Sequence, residues 1–376
     1  MKTPSAVLIC LIGLSCGGLP TDAGSLRQES QAIINGQDCG PTDAPTAMAL
    51  IAVVNYRTAQ GVGEQATLLL CTGTLIAPDT VLSAAHCVDQ NLIAQDLGVT
   101  VTGLHFYVSQ QADLTTLSEG SNTLPSDAVA VSTFVEDPGF NDPTNGTGLQ
   151  NFQDISLLFL STANASVVPE ILISTQEASQ LVDRASVIIA GWGQQTNTMT
   201  PPAGTEGYEK CANTTINQLG ATEMQIGAGA GTGYTCHGDS GGPAYMTIMT
   251  TTPIKRRLIG VTSHAYDGNY CDVGAVDTRV DAYLSWINTT MTQACTAKAR
   301  VWCDVPGIIP ADYYQAAGST GTTSGSPGET GTTQGTTGTY VNPKMGCGTI
   351  DADGLPLLGL AIVIFRRRFR YPQRTR

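Results

Sequence analysis

The sequence predicts an all-β domain followed by a disordered stalk, on three observations. Short apolar, β-branched runs (AMALIAVVNY, ATLLLCTGTLI, DISLLFL, SVIIAGW, LIGVTSHA) recur between about Ile33 and Met291, broken by Gly, Pro, Asn and Asp. Runs of that length bounded by turn residues are strand signals. Helical periodicity is confined to VDAYLSWINTTM near the end of this stretch. After Tyr314 the composition changes, and GSTGTTSGSPGETGTTQGTTGT (318–339) carries no side chains able to offset the entropy of ordering it. A β-barrel or β-sandwich with a terminal helix follows, and such domains reach ~250 residues as one unit.

The totals agree with that reading. A chain of 376 residues, 41% of them hydrophobic, builds one large or two ordinary domains with a real core. Its net charge of -13 understates the acidity of the folded part, because Arg366, Arg367, Arg368, Arg370, Arg374 and Arg376 crowd the last residues. An acidic domain argues against a nucleic-acid partner.

Both ends read as processing segments. Residues 1–23 begin with one Lys and an apolar run from Ala6 to Leu14, the layout of a secretory signal peptide and too short a run to span a bilayer as a mature helix. Leu14-Ser15-Cys16-Gly17 resembles a lipoprotein cleavage site, with Gly13 where such sites carry Leu, so Cys16 is a second candidate for the processed end. At the other end a linker (315–345) leads to a tail (346–376) containing Cys347, the apolar segment LPLLGLAIVIF (355–365) and RRRFR. As a helix those apolar residues rise ~16 Å against a hydrocarbon core of ~30 Å, a poor permanent anchor. Cys, apolar segment and Arg cluster in that order resemble the C-terminal sorting signals of myxobacterial-type surface proteins, which implies cleavage near Cys347, a lipid attached there or at Cys16, and display on the cell surface. A weak membrane anchor is the other reading of the tail.

Export places the remaining cysteines where they pair with one another, ahead of any role as metal ligands. The chemistry starts from CHGDSGGP (236–243). A serine hydroxyl attacks only when a base takes its proton. Glycines around it let backbone N–H groups converge on a developing oxyanion, here those of Gly238 and Ser240. His86 in LSAAHCV is the candidate base, and Asp154, an acid opening the apolar run DISLLFL, is the candidate to fix its tautomer.

His86, Asp154 and Ser240, in that chain order and with these flanking stretches, resemble the chymotrypsin/trypsin-like serine proteases. The resemblance covers Ile33 to about Met291. It implies two antiparallel six-stranded β-barrels with the catalytic residues at their junction, a C-terminal helix, and a protease domain over 33–292 preceded by a propeptide (24–32). It also implies that IINGQDC (33–39) becomes the mature N-terminus, Ile33 pairing with Asp239 to order the oxyanion loop, so that the uncut chain is an inactive zymogen. Ser30-Gln31-Ala32 precedes the cut where Arg or Lys is usual, so an activating protease that prefers small residues is expected.

The same resemblance pairs Cys71 with Cys87, Cys236 with Cys271 and Cys39 with Cys211. Cys295 and Cys303 remain as a local pair in an extension (293–314), and Cys10, Cys16 and Cys347 fall in processing segments. One bridge common in the family has no cysteines here, since Ile226 and its neighbours fill that stretch.

The specificity pocket implied by the family comprises Tyr234, Thr235, His237, Ser263, His264, Ala265 and Ala275. Tyr234 stands where trypsin carries an acid for Arg and Lys, so Arg/Lys specificity is not expected. Ala265 and Ala275 stand where Gly is usual and narrow the slot toward small or medium apolar side chains. A second expectation is an acidic substrate side chain held by Thr235, His237 and His264. His105 reads as a strand surface residue, Lys255-Arg256-Arg257 as a solvated turn, and Asp351-Ala352-Asp353-Gly354 as a fragment of a calcium loop without its later ligands. No metal or cofactor is expected. Protein or peptide substrates are.

Two other functional classes compete. A catalytically silent homologue would use the fold as a surface binding module, and an intact triad argues against it. An esterase of the α/β-hydrolase type would want Gly-x-Ser-x-Gly with its His last in the chain, whereas here His86 comes first.

Overall fold

The computed structural model describes residues 33–303 apart from 59–60, 145, 165, 197–204, 230, 250–254 and 269–270. The expected signal peptide, propeptide, linker and tail lie outside the described residues, as do Cys10, Cys16, Cys347, the Asp351–Gly354 fragment and the part of the extension beyond Cys303.

After the short strand β1 (Gln37–Asp38) come β2 (Ala47–Arg57), β3 (Gly63–Ala77), β4 (Thr80–Ser83), β5 (Thr100–Ser109), β6 (Val129–Glu136) and β7 (Ser156–Leu160). These last six close a barrel in the order β2-β3-β4-β7-β6-β5. β8 (Ser186–Gly191), β9 (Lys210–Leu219), β10 (Glu223–Ile226), β11 (Pro243–Ile248), β12 (Lys255–Ala265) and β13 (Ala275–Arg279) run in the order β9-β10-β13-β12-β11-β8, and β8 pairs back with β9 to close the second barrel. Every pairing between these strands is antiparallel, and β1 adds to the outside of β9. Closure leaves the barrel strands with paired edges, the usual reason for rolling a β-rich chain into barrels.

Hydrophobic runs become strands here because closed barrels have an inside to fill. Leu50, Ile51, Leu75, Ile76, Leu82 and Phe159 in the first barrel, and Ile189, Met224, Leu258, Ile259 and Val261 in the second, are at most 1% exposed and belong to one continuous core. Each such side chain contributes about 1.5–3 kcal/mol. The terminal helix expected near VDAYLSWINTTM is α3 (Leu284–Thr296), which buries Ile287, Met291 and Ala294. Two shorter helices, α1 (Gln90–Leu97) and α2 (Thr115–Ser118), were not legible as periodicity. α1 forms because the Asp89 carboxylate accepts the N–H groups of Asn91 and Leu92 at 2.7 and 2.9 Å, and Gly98 ends it in the left-handed region.

Among the described residues four disulfides join Cys39 to Cys211, Cys71 to Cys87, Cys236 to Cys271 and Cys295 to Cys303. His105 is exposed on β5, as expected.

Lys255-Arg256-Arg257 is not a solvated turn. These residues open β12, and Arg257, 1% exposed, forms a fork to Glu177 with Nε–Oε2 and Nη2–Oε1 distances of 3.0 Å. Arg256 pairs with Glu170, lies 4.5 Å over the Tyr245 ring and donates to the carbonyls of Thr42 and Asp43. The carboxylate partners lie 86 and 80 residues earlier in the chain, a distance at which a charge run read locally gives no sign of being buried. A second buried pair, Arg300 with Asp79 at 2.6 Å, fastens the chain after α3 to the turn between β3 and β4. Asp79 also accepts the N–H groups of Val301 and Trp302 at 3.0 and 2.7 Å.

Candidate active site

The segments that carry the expected triad are held together by their backbones. His86 follows β4, and Asp154 lies two residues before β7, which pairs with β4. The Ser156 hydroxyl donates to the Ala84 carbonyl at 2.8 Å, so His86 and Asp154 are set side by side by their neighbours. From the second barrel, the Thr278 hydroxyl donates to the Asp154 carbonyl at 3.0 Å.

Asp154 is fully buried, and its carboxylate accepts three hydrogen bonds. Oδ1 accepts the His86 backbone N–H at 2.9 Å, while Oδ2 lies 2.7 Å from His86 Nδ1 and 2.6 Å from the Ser263 hydroxyl. Burial opposes its charge, but the His86 charge and these hydrogen bonds prevail and hold its pKa below the usual carboxylate value. Burial likewise pulls the His86 imidazole down. The Asp154 charge and hydrogen bond, with Asp96 and Asp142 farther out, outweigh it and leave the imidazole pKa raised.

Ser240 sits in the loop before β11, and its backbone is pressed against the first barrel. Its carbonyl accepts the Thr72 N–H at 2.8 Å and lies 3.6 Å from Cys87 Sγ, the residue after His86. Among the described residues the Ser240 hydroxyl has no hydrogen-bond partner, His86 Nε2 included; such contacts commonly tighten only when substrate is bound. The N–H groups of Gly238 and Ser240 likewise have no protein acceptor among the described residues. Gly238 adopts φ +91°, a conformation that favours glycine.

Asp239 points the other way, into the protein. Its carboxyl accepts the Gly193 N–H at 2.8 Å and the Cys236 N–H at 2.9 Å, and the Ile33 backbone N–H donates to it as well. Burial raises its pKa to about 7, against the pull of those three donors. The GWG motif (191–193) is explained by this carboxyl, since a Cβ on Gly191 would stand 2.2 Å from Asp239 Oδ1. Ile33 is completely buried and has φ +51°, an outlier for a β-branched residue.

The expected pocket residues gather beside this loop. Ile34 and Tyr234 exchange backbone hydrogen bonds at 3.0 and 3.1 Å. Ala265 and Ala275 face each other across β12 and β13, bracketed by the Cys236–Cys271 bridge. Burial lowers the His237 pKa, and the two ring nitrogens of His264 lie 3.1 Å from the Ser263 hydroxyl and 3.3 Å from the Gly148 carbonyl. Among the described residues two groupings combine a histidine with two cysteines, Cys71-His86-Cys87 and Cys236-His237-Cys271, but their sulfurs are spent in disulfides and not available as thiolate ligands.

The trypsin family model matches residues 33–287 of the chain. The chain belongs to the trypsin family. It is a serine endopeptidase, a hydrolase of peptide bonds. The protease is 29% identical over 280 residues to human chymotrypsin-like elastase family member 1, an alignment covering 71% of this chain and 95% of that protein. The macaque protein of the same name is 31% identical over 235 residues, covering 59% and 78%. Trypsin Blo t 3 of Blomia tropicalis is 26% identical over 298 residues, covering 75% and 96%. The protease's four disulfides fit an extracellular protein.

Sequence reasoning missed several residues of the site. Thr72, Ser83 and Ser156 carry backbone-directed hydrogen bonds that no spacing announces. Asp277, completely buried in β13, was legible in principle, since an acid inside the apolar stretch AVDTRV resembles the signal that picked out Asp154.

Proposed function

We propose that the protease is exported as a zymogen, cut before Ile33, and acts through an acyl-enzyme on Ser240. The observation that carries this reading is the two-point hold of Asp154 on His86 beside a loop whose Gly238 and Ser240 N–H groups lack protein acceptors among the described residues. The Ser240 oxygen attacks the scissile carbonyl carbon while its proton passes to His86 Nε2, and the Gly238 and Ser240 N–H groups receive the oxyanion. His86 returns the proton to the amine as the C–N bond breaks. Water then attacks the ester and gives its proton to His86, which passes it to the Ser240 oxygen as the C–O bond breaks and the acid leaves. Asp154 stays ionised and keeps the Nδ1 proton of His86 in place.

The strain at Ile33 supports the cut. Breaking the peptide bond before it frees that backbone from the left-handed region and gives Asp239 an ammonium partner in place of a neutral amide. The pocket favours small or medium apolar side chains: Ala265 and Ala275 put methyl groups on facing strands, and Tyr234 occupies the position from which an acid would receive Arg or Lys. The Gly/Thr/Ser-rich linker and the tail with Cys347 favour tethering at the cell surface, a reading that rests on sequence alone.

Peptide hydrolysis by the chain before and after a cut in front of Ile33 tests this reading. Turnover is expected in the cut chain alone and is abolished by Ser240→Ala. Turnover retained in Ser240→Ala contradicts the assignment, and a cut wild-type chain without turnover favours the silent binding module.

A further inference from the structure

A proton count around Ser263 extends the site beyond three residues. The Ser263 hydroxyl has one hydrogen and two neighbours, Asp154 Oδ2 at 2.6 Å and His264 Nδ1 at 3.1 Å. The shorter contact, to a carboxylate, takes the proton. The Ser263 oxygen can then only accept from His264, which requires a proton on Nδ1. His264 Nε2 lies 3.3 Å from the Gly148 carbonyl, which can also only accept and so requires a proton on Nε2. A neutral imidazole carries one proton and can satisfy one side; an imidazolium satisfies both.

The two neutral forms differ in what they do to Asp154. With the proton on Nδ1, His264 donates to Ser263 and leaves the Ser263 proton on the carboxylate. With the proton on Nε2, the Nδ1 lone pair competes with Asp154 for that proton. Since the Ser263 hydrogen bond is among the interactions that hold Asp154 ionised, the state of His264 reaches His86 through two intervening groups.

We propose that His264 is a positioning residue of the catalytic machinery, the fourth link of a chain His86–Asp154–Ser263–His264, and that its protonation adjusts how firmly Asp154 holds the His86 proton. This rests on the assignment of His86 and Asp154 as the catalytic base and its orienter. His264 touches neither the reacting atoms nor Ser240 in this role.

The surroundings of His264 are consistent with a titratable link. The Phe152 ring meets it edge-on at 5.0 Å and 84°, Val276 stands opposite it on β13, and Gly148 caps its far nitrogen. The charged groups that act on it are Glu223, Asp154 and His86. Glu223 is itself committed to the N–H groups of Gln150 and Phe152, at 2.6 and 2.7 Å, which fixes the loop that presents Gly148 and Phe152. Burial lowers the His264 pKa and is the largest influence; the Gly148 carbonyl, Glu223 and Asp154 pull it up, and His86 pushes it down. His86 is moved the opposite way, so the His264 step falls below the His86 step.

The test is a ring-nitrogen NMR titration of the full chain carrying Ser240→Ala, in which the imidazoles of His86 and His264 are followed together. The expected result is two inflections in the His86 signal, the lower one coinciding with the titration of His264. In a second sample with His264→Gln the lower inflection is lost. A single His86 inflection in the presence of His264, or a lower inflection that persists in His264→Gln, overturns the proposal. The first comparison needs no change at His264, so it stands even if that variant folds poorly. Because the readout is a titration and not turnover, it is decided separately from the acyl-enzyme reading, which Ser240-dependent hydrolysis tests.

Discussion

The Asp154 carboxylate holds His86 by two different atoms, the ring Nδ1 at 2.7 Å and the backbone N–H at 2.9 Å. A carboxamide at residue 154 could keep one of these contacts but would present an N–H where an acceptor is needed, favouring the wrong tautomer of the imidazole. Asp154→Asn is therefore expected to leave the fold intact and to lower kcat by about 10⁴-fold, the size associated with such a change in a Ser-His-Asp triad. Steady-state kinetics at pH 7 check it, with the thermal midpoint as control.

The pH dependence follows from the same pair. His86 accepts a proton only when neutral, and the neighbouring carboxylate holds its pKa above 6.5. The acid limb of kcat/KM is expected to have its midpoint above 6.5, with activity lost as pH falls through it. A midpoint below 6.5 in the cut wild-type chain contradicts this.

Asp277 predicts a stability effect. It is completely buried, its oxygens have no hydrogen-bond partner among the described residues, and the Thr262 hydroxyl across the strand pair eases its charge without reaching hydrogen-bond geometry. Burial raises its pKa from 3.8 to about 8. The folded chain thus keeps a proton that the unfolded chain gives up, so stability attributable to this group falls as pH rises from about 4 to about 8 and levels off above. Asp277→Asn is expected to stabilise the protein near pH 8, on the order of a few kcal/mol, with the gain shrinking toward pH 4. Denaturant unfolding at both pH values checks it.

Arg300 and Asp79 predict the reverse. Both side chains are at most 1% exposed, so Arg300→Met leaves a carboxylate buried with no cationic partner, held by the Val301 and Trp302 N–H groups and the Thr80 hydroxyl. A loss of about 3–5 kcal/mol is expected in denaturant unfolding, with kcat little changed because the pair lies outside the proposed catalytic residues.

Much of the fold was legible, and the proposed triad could be picked out, because the signals used are local. Strand-length apolar runs, the loop CHGDSGGP and the histidine beside Cys87 each read from a few consecutive residues. What stayed hidden depends on partners brought together by folding. Arg256 and Arg257 read as a surface cluster until Glu170 and Glu177 are placed against them, and α1 is eight residues held by a single capping carboxylate. His264 read as a pocket residue, because the Ser263 hydroxyl and the Gly148 carbonyl that define its proton count come from its chain neighbour and from a loop 116 residues earlier.

The central claim is that Ser240 is made nucleophilic by an imidazole set in place by Asp154. Treating the chain, cut before Ile33, with a fluorophosphonate and locating the adduct by mass spectrometry tests it most directly. Rapid modification of Ser240 alone, slowed by orders of magnitude in His86→Ala, is the predicted result. Absence of an adduct on Ser240, or equal labelling with and without His86, would contradict it.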